Sequence, residues 1–236
     1  MSKTSILYQH GTLALLVPGL LDGTITMKEM LQHGDTGIGT GEGLDGELVI
    51  LNGTPYQIDS HGSVNIVPDD FTMPFANIHF ANYQKLFDVK DISQADLEKK
   101  VVSATSTNTF FSIEFSGTFT NIKTRAVKKS QKPYDTLAKT AECQSIFQRE
   151  TVAGTMLSYY SPQLFDGAAV AGFHNHFLAD DHTFGGHLLE FGSASGTVSI
   201  QQFDTLEQHL PVNNQEFSNF DFSGHDILGD IHKAES

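Results

Sequence analysis

The chain has 236 residues, 39% of them hydrophobic, with 18 Phe and no Trp. It is long enough to bury a sizeable core as one large domain or two closely joined small ones, and its composition excludes a disordered chain. With 28 acidic residues against 14 basic, the net charge is −14 and no Lys/Arg stripe with interleaved aromatics offsets it. That surface repels a nucleic-acid duplex or an anionic membrane, so neither partner is expected. Cys143 is the single cysteine, which rules out an intramolecular disulfide and leaves no sign of an oxidising compartment.

Residues 12–21 are apolar but broken by Pro18 and Gly19. They are too short to span a bilayer, and no small-residue cleavage site follows them cleanly. They read as a strand or a buried segment, and a cytoplasmic location is expected. Residues 24–33 read as a short helix, with Thr26 and Glu29 at capping-box spacing and Gly34 to end it. The glycine-rich stretch HGDTGIGTGEGLDGELVI follows. A phosphate-binding loop needs a strand before it and a helix after it, and here the order is reversed. Nucleotide binding is therefore not expected.

ELVILNGTPYQID predicts a hairpin about Asn52-Gly53, the pair favoured in type I′ turns. Alternating segments at 77–83, 109–115 and 117–127 predict strands with one buried face. Residues 93–103 predict an amphipathic helix opened by Ser93, and 135–147 another, with the Cys143 thiol on one face as an inert, wholly or partly buried group. The basic run KTRAVKKSQK reads mostly as a solvated strand end and loop, with Arg125 set apart as a candidate site residue. Further strands are predicted in TVAGTMLSYYS, AAVAGFHNHFL and GHLLEFGSASGTVSIQQF, and the tail from 204 is read as polar, with short helical or irregular pieces. The fold class is α+β. Mixed and antiparallel sheets with a few helices fill one domain over 1–236, in two closely joined sheet regions at about 1–130 and 131–236.

The stretch GFHNHFLADDHTFGGH concentrates the chemistry. Residues i and i+2 of a strand project to the same side about 7 Å apart, so His174 and His176 share a face and Asn175 points off it. A hairpin centred near residue 181 then returns His187 beside His176, with Gly185-Gly186 permitting close backbone approach. Three neutral imidazoles with an open position make a catalytic type of metal site, on a β-hairpin; they suit Zn, Cu, Fe or Ni, and zinc is the usual occupant of three-histidine hydrolytic and lyase sites. His182 at the turn tip is read as solvated, and Asp180 and Asp181 as turn residues. His10, His33, His61 and His79 are given structural or surface roles. A cupin-like metal site is the nearest rival, but it calls for a Glu shortly after His-x-His and residues 177–183 contain none.

Taken with HGDTGIGT…LDGELV, IKTRAVKKSQKPY and the closing IHKAES, this segment resembles bacterial α-acetolactate decarboxylase over nearly the whole chain, in the same order and at similar separations. The resemblance implies a zinc ion on His174, His176 and His187. It implies catalytic roles for Glu47, Arg125 and Glu235, and more weakly a substrate hydrogen bond from Thr40. Glu235 is matched by aligning the closing IHKAES with the family's terminal Ile-x-x-x-Glu. The implied reaction converts 2-acetolactate to acetoin and CO₂, with Glu47 the preferred proton donor and Glu235 a metal ligand or second acid. A homodimer is implied, as is a place at the branch from pyruvate towards butanediol. Two other readings stay open from the residues alone: a metal-dependent oxygenase or hydrolase on the same histidines, and a non-catalytic metal-binding β-protein.

Overall fold

The computed structural model describes residues 3–223 together with Asp226, Ile227 and Gly229. In chain order the strands are β1 (Ile6–His10), β2 (Ile25–Thr26), β3 (Thr36–Gly41), β4 (Asp45–Leu51), β5 (Thr54–Ile58), β6 (Val64–Ile66), β7 (Thr72–Met73) and β8 (Phe75–His79). Then come β9 (Gln84–Ile92), β10 (Phe110–Val127), β11 (Gln144–Ser161), β12 (Gly172–Ala179), β13 (Gly185–Glu190), β14 (Ser193–Phe203) and β15 (Thr205–His209). The helices are α1 (Leu13–Leu16), α2 (Met27–Met30), α3 (Gln94–Ala104), α4 (Leu137–Ala141) and α5 (Gln215–Asn219). The α+β class holds, with β-structure dominant.

One sheet runs β15-β1-β8-β3-β4-β5-β6, antiparallel except where β15 lies parallel to β1. The other runs β11-β12-β13-β10-β14-β9 and is antiparallel throughout. Its strand β10 also pairs with β11 along almost its full length, from Phe111↔Tyr160 to Val127↔Gln144, so β10, β11, β12 and β13 close into a ring. A closed ring leaves no free edge beside the histidine hairpin, which protects that hairpin from slipping in register.

The two sheets do not divide the chain near residue 130. The first takes β1, β3, β4, β5, β6, β8 and then β15, the short strands β2 and β7 pair only with each other, and every strand from 84 to 203 belongs to the second. Within the tail, read as polar with short helical or irregular pieces from 204, Gln215–Asn219 is such a short helix, but Thr205–His209 is a strand that pairs with β1. Two further expectations change for the same reason, that long-range pairing outweighs local pattern. The segments 109–115 and 117–127 are one strand of 18 residues. The helix expected over 135–147 covers only Leu137–Ala141, because from Gln144 the backbone is taken up by the ladder to β10. Cys143 lies in the turn between them and is exposed, contrary to the buried thiol expected.

Local signals fare better where short-range chemistry decides. The Thr26/Glu29 capping box forms, although its helix has four residues rather than ten, and the 12–21 segment, read as a strand or a buried segment, holds the short helix α1. Gly34 passes so close to the His79 backbone that a Cβ there would lie 2.4 Å from its carbonyl oxygen, which stops any side chain from continuing that helix. Asn52 and Gly53 both take positive φ, 51° and 75°, as a type I′ turn requires. Ser93 caps α3 by accepting from the Asp96 backbone N–H.

The largest apolar cluster lies within the ring sheet and under α3, joining Phe111, Phe115, Phe119 and Phe177 to Leu97 and Val101. Phe119 is fully buried and meets Phe177 and Phe191 edge to face, with centroids 5.0 and 5.3 Å away. Phe119→Ala is expected to lower unfolding free energy by about 3–5 kcal/mol in a denaturant titration. A loss below about 1 kcal/mol would mean the cluster does not hold the ring together. Smaller clusters seal the two sheets to each other: Leu7, Ile38, Leu157 and Tyr159 at one place, Val49, Ile58, Ala126 and Leu178 at another. Leu178 has the strand parity of His174 and His176, so those imidazoles also face the first sheet.

Candidate metal centre and the cavity around it

Strand β12 carries His174 and His176, and β13 carries His187, paired directly with His176. The turn between them is set by short polar contacts. The Ala179 N–H donates to the Phe184 carbonyl at 2.8 Å, and Asp181 accepts from the Thr183 N–H at 3.0 Å and from its hydroxyl at 2.8 Å. Asp180, Asp181 and His182 are exposed, as expected of turn residues. Gly186 sits at φ 126° where a Cβ would lie 2.5 Å from the Arg125 carbonyl oxygen. Only glycine fits there, and the close approach pairs Arg125 with His187 across β10 and β13.

The three imidazole centroids are 5.0–5.4 Å apart, and one donor nitrogen from each lies within 4.8 Å of the others. His176 Nδ1 lies 2.8 Å from the Leu48 carbonyl oxygen. A carbonyl only accepts, so Nδ1 carries the hydrogen and Nε2 holds a lone pair. That Nε2 is buried and makes no hydrogen bond among the described residues. A buried imidazole lone pair with its ring fixed by a backbone carbonyl is what a metal ligand requires. Burial, then the nearby Arg125 charge, pushes the His174 pKa down to about 3. His187 is driven well below its usual range by the same two causes, and His176 by burial and then His174. All three are neutral at pH 7, the ligating form. The donor set therefore fits a divalent cation of borderline softness such as zinc.

Glu47 reaches the cluster from β4, with Oε2 3.4 Å from His176 Nε2 and 8% of the residue exposed. A bulge aims it. Thr40 opposes Glu47 but Gly41 opposes Asp45, so Gly46 is an extra residue at φ 70°. The Thr40 hydroxyl donates to the Gly46 carbonyl at 2.8 Å and pins that bulge. Thr40 thus lines the cavity, but its one hydroxyl hydrogen is spent on the backbone that orients Glu47. Arg125 is 6% exposed, and its Nη1 donates to Gln144 Oε1 at 3.0 Å. Thr40, Glu47, Arg125 and the three histidines line one cavity. Glu235 lies outside the described residues.

The rest of the wall is apolar. Leu13 and Leu16 come from α1, Leu137 and Ala141 from α4, with Leu44, Phe75 and Val127 beside them. These, the Leu48 carbonyl and Gln144 went unnoticed in the sequence, because no motif marks a backbone acceptor or a chain segment folded over from a distance. Asn175 is buried on the opposite face, towards Leu97 and Glu98 of α3, as its parity predicted.

His10, His33, His61 and His79 do not line this cavity. His61 is exposed, and His33 stacks on Tyr8 at 3.6 Å. His79 is fully buried, its Nδ1 2.7 Å from the Tyr159 hydroxyl, and burial pushes its pKa down to about 3. The folded protein then binds no proton at His79 where the unfolded chain, at about 6.5, does. Stability from this group is complete above pH 6.5 and falls as pH drops towards 3. In metal-free protein, His79→Phe is expected to flatten the fall in unfolding free energy between pH 6 and 4 by about 1.4 kcal/mol per pH unit. Parallel pH–stability curves for the two proteins would contradict it.

A ring-closed β-sheet facing a second sheet thus brings three convergent imidazoles that could hold a metal ion together with a carboxyl group and a guanidinium in one small apolar-walled cavity. The family model for alpha-acetolactate decarboxylase matches residues 7–224. The chain is 35% identical to alpha-acetolactate decarboxylase of Lactococcus lactis subsp. cremoris, covering all of both chains, and 35% identical to that of Bacillus licheniformis, covering 97% of this chain and 90% of the relative. It superposes on the crystal structure of the Bacillus subtilis alpha-acetolactate decarboxylase with a TM-score of 0.92 at 32% identity, covering 98% of this chain and all of that one. A Staphylococcus aureus protein of unknown function, described as similar to alpha-acetolactate decarboxylase, gives a TM-score of 0.94 at 37% identity, covering 98% of this chain and all of that one. The chain belongs to the alpha-acetolactate decarboxylase family and is a carbon–carbon lyase of the carboxy-lyase class. None of its helices among the described residues is long and apolar enough to cross a membrane.

Proposed function

We propose that this enzyme decarboxylates 2-acetolactate to acetoin and CO₂ at a zinc ion held by His174, His176 and His187. The observation that carries the reading is the His176 ring: its Nδ1 hydrogen is committed to the Leu48 carbonyl and its Nε2 lone pair is turned into the triad beside Glu47. When bound, the cation supplies a Lewis-acid pole for negative charge developing on the substrate ketone oxygen.

The chain's own residues supply the rest. Arg125 pairs with the substrate carboxylate and orients the bond to be broken, and its fixed charge favours the anionic substrate over neutral product. Loss of CO₂ moves the bonding pair into an enolate. Glu47, in its acid form, delivers a proton to the carbon that bears the hydroxyl, from one face, and so sets the configuration of acetoin. The preferred outcome is (R)-acetoin from (S)-substrate. Thr40 acts on this step by holding the Gly46 bulge in place. Glu235 is assigned as a further ligand or second acid. The apolar wall from α1 and α4 excludes water and accepts the substrate methyl groups.

The family resemblance further supports a cytoplasmic homodimer that feeds acetoin towards butanediol. The test is incubation of the purified protein with racemic 2-acetolactate in a sealed cell, with acetoin, CO₂ and dissolved oxygen followed together. Equal amounts of acetoin and CO₂ with no oxygen uptake are expected. Oxygen consumption without acetoin would replace this reading with the oxygenase one.

A further inference from the structure

We infer that Gln57 is a positioning residue for Glu47: from the face of the first sheet turned away from the cavity, it holds the backbone bulge that aims the Glu47 carboxyl group at the triad. This rests on the proton-donor role proposed for Glu47 above. Gln57 lies on β5 and pairs with Leu48, while its neighbour Ile58 pairs with Glu47. Directly paired residues of an antiparallel ladder share a face, and successive residues alternate. Glu47 and Ile58 therefore face the ring sheet, where Ile58 packs with Ala126 and Leu178. Leu48 and Gln57 face the other way, where Leu48 joins Tyr8, Met27 and Met30. Gln57 is 8% exposed and is not among the residues that line the cavity. It can act on the reaction only through the backbone.

That route is short. The Gln57 carboxamide Nε2 donates to the Asp45 carbonyl at 2.7 Å. The next carbonyl along, that of Gly46, accepts from the Thr40 hydroxyl at 2.8 Å. Two consecutive carbonyls just before Glu47 are thus held by side chains of the two strands that flank β4, one from each face of the sheet. A bulge disrupts the ladder, so its carbonyls depend on such donors for a fixed direction. The Gln57 side chain is also seated against the bulge, since a Cβ on Gly46 would lie 3.2 Å from Gln57 Cγ and 2.4 Å from the Ile58 carbonyl oxygen. A tilt of either peptide beside Gly46 swings the Glu47 side chain, and a displacement of about 1 Å in a reacting group costs about 10²-fold in rate.

The test uses two variants. Gln57→Met keeps the side-chain length and loses the donor, and Gln57→Asn keeps the amide but falls one methylene short of the Asp45 carbonyl. Each is expected to lower kcat for acetoin formation by about 10–10²-fold and to lower the enantiomeric excess of the acetoin. KM for 2-acetolactate stays within about twofold of wild type, and zinc content is unchanged. In a Glu47→Gln background neither change lowers kcat or enantiomeric excess further, because no donor is left to misaim. Wild-type kcat and enantiomeric excess in both variants overturn the inference. So does an equal fall with and without the Glu47 carboxyl group, which marks general damage to the sheet. Melting temperature is read on every sample. Gln57→Asn carries the test if Gln57→Met does not fold, and failure of both to fold overturns the inference in favour of a purely structural glutamine. The same preparations separate the levels. Wild-type protein that forms no acetoin refutes the decarboxylase reading, and Glu47→Gln protein with wild-type kcat and enantiomeric excess refutes the donor role; either takes this inference with it. A loss in Glu47→Gln beside unaffected Gln57 variants refutes this inference alone.

Discussion

Glu47→Gln is expected to lower kcat for acetoin formation by about 10²–10⁴-fold, the usual contribution of a positioned proton donor, while zinc content stays at the wild-type level. Glutamine keeps the size of the side chain and its place beside His176, where Oε2 lies 3.4 Å from Nε2 in the parent protein. It cannot deliver a proton. The residual acetoin should be close to racemic, because protonation then comes from water on either face. Chirality of the product, read by chiral gas chromatography, therefore separates the two roles open to this carboxyl group. If Glu47→Gln instead loses zinc and the surviving turnover keeps full stereoselectivity, Glu47 is a ligand and the donor is another group.

A second large effect is expected at the triad. His176→Ala should bind less than about a tenth of an equivalent of zinc and lose about 10³-fold or more in activity, since the electrophilic pole goes with the ligand. Added zinc should raise the melting temperature of metal-free wild type and leave that of the variant unchanged, because a ligand stabilises only the state that binds it. The ring is held by the Leu48 carbonyl and is 1% exposed, so the variant tests the ligand rather than a loose surface residue. A variant that keeps stoichiometric zinc and ordinary turnover would place the metal, or the chemistry, elsewhere.

Much of this centre was legible in the sequence because its geometry is local. His-x-His fixes a shared strand face, and ten intervening residues with Gly185-Gly186 bring His187 back into direct register with His176. The Asn52-Gly53 turn and the Thr26 capping box are legible for the same reason: each depends on three or four consecutive residues. What stayed hidden depends on partners far away in the chain. Residues 144–147 are strand because β10 pairs with them, and residues 205–209 are strand because β1 does. Arg125, Glu47 and the histidines come together only because the closed ring of strands lies against the first sheet, and neither alternation nor spacing encodes that contact. Their grouping was foreseen through resemblance, and the Leu48 carbonyl and Gln144, which carry no chemical signature, were not foreseen at all.

The most direct measurement is a zinc titration of fully chelated protein, with bound metal and acetoin formation from 2-acetolactate read on the same samples. Both should rise together and level off at one zinc per chain, with no activity at the start. Full turnover by the metal-free protein, or no acetoin from folded protein carrying one zinc per chain, would contradict a zinc-dependent decarboxylase built on His174, His176 and His187.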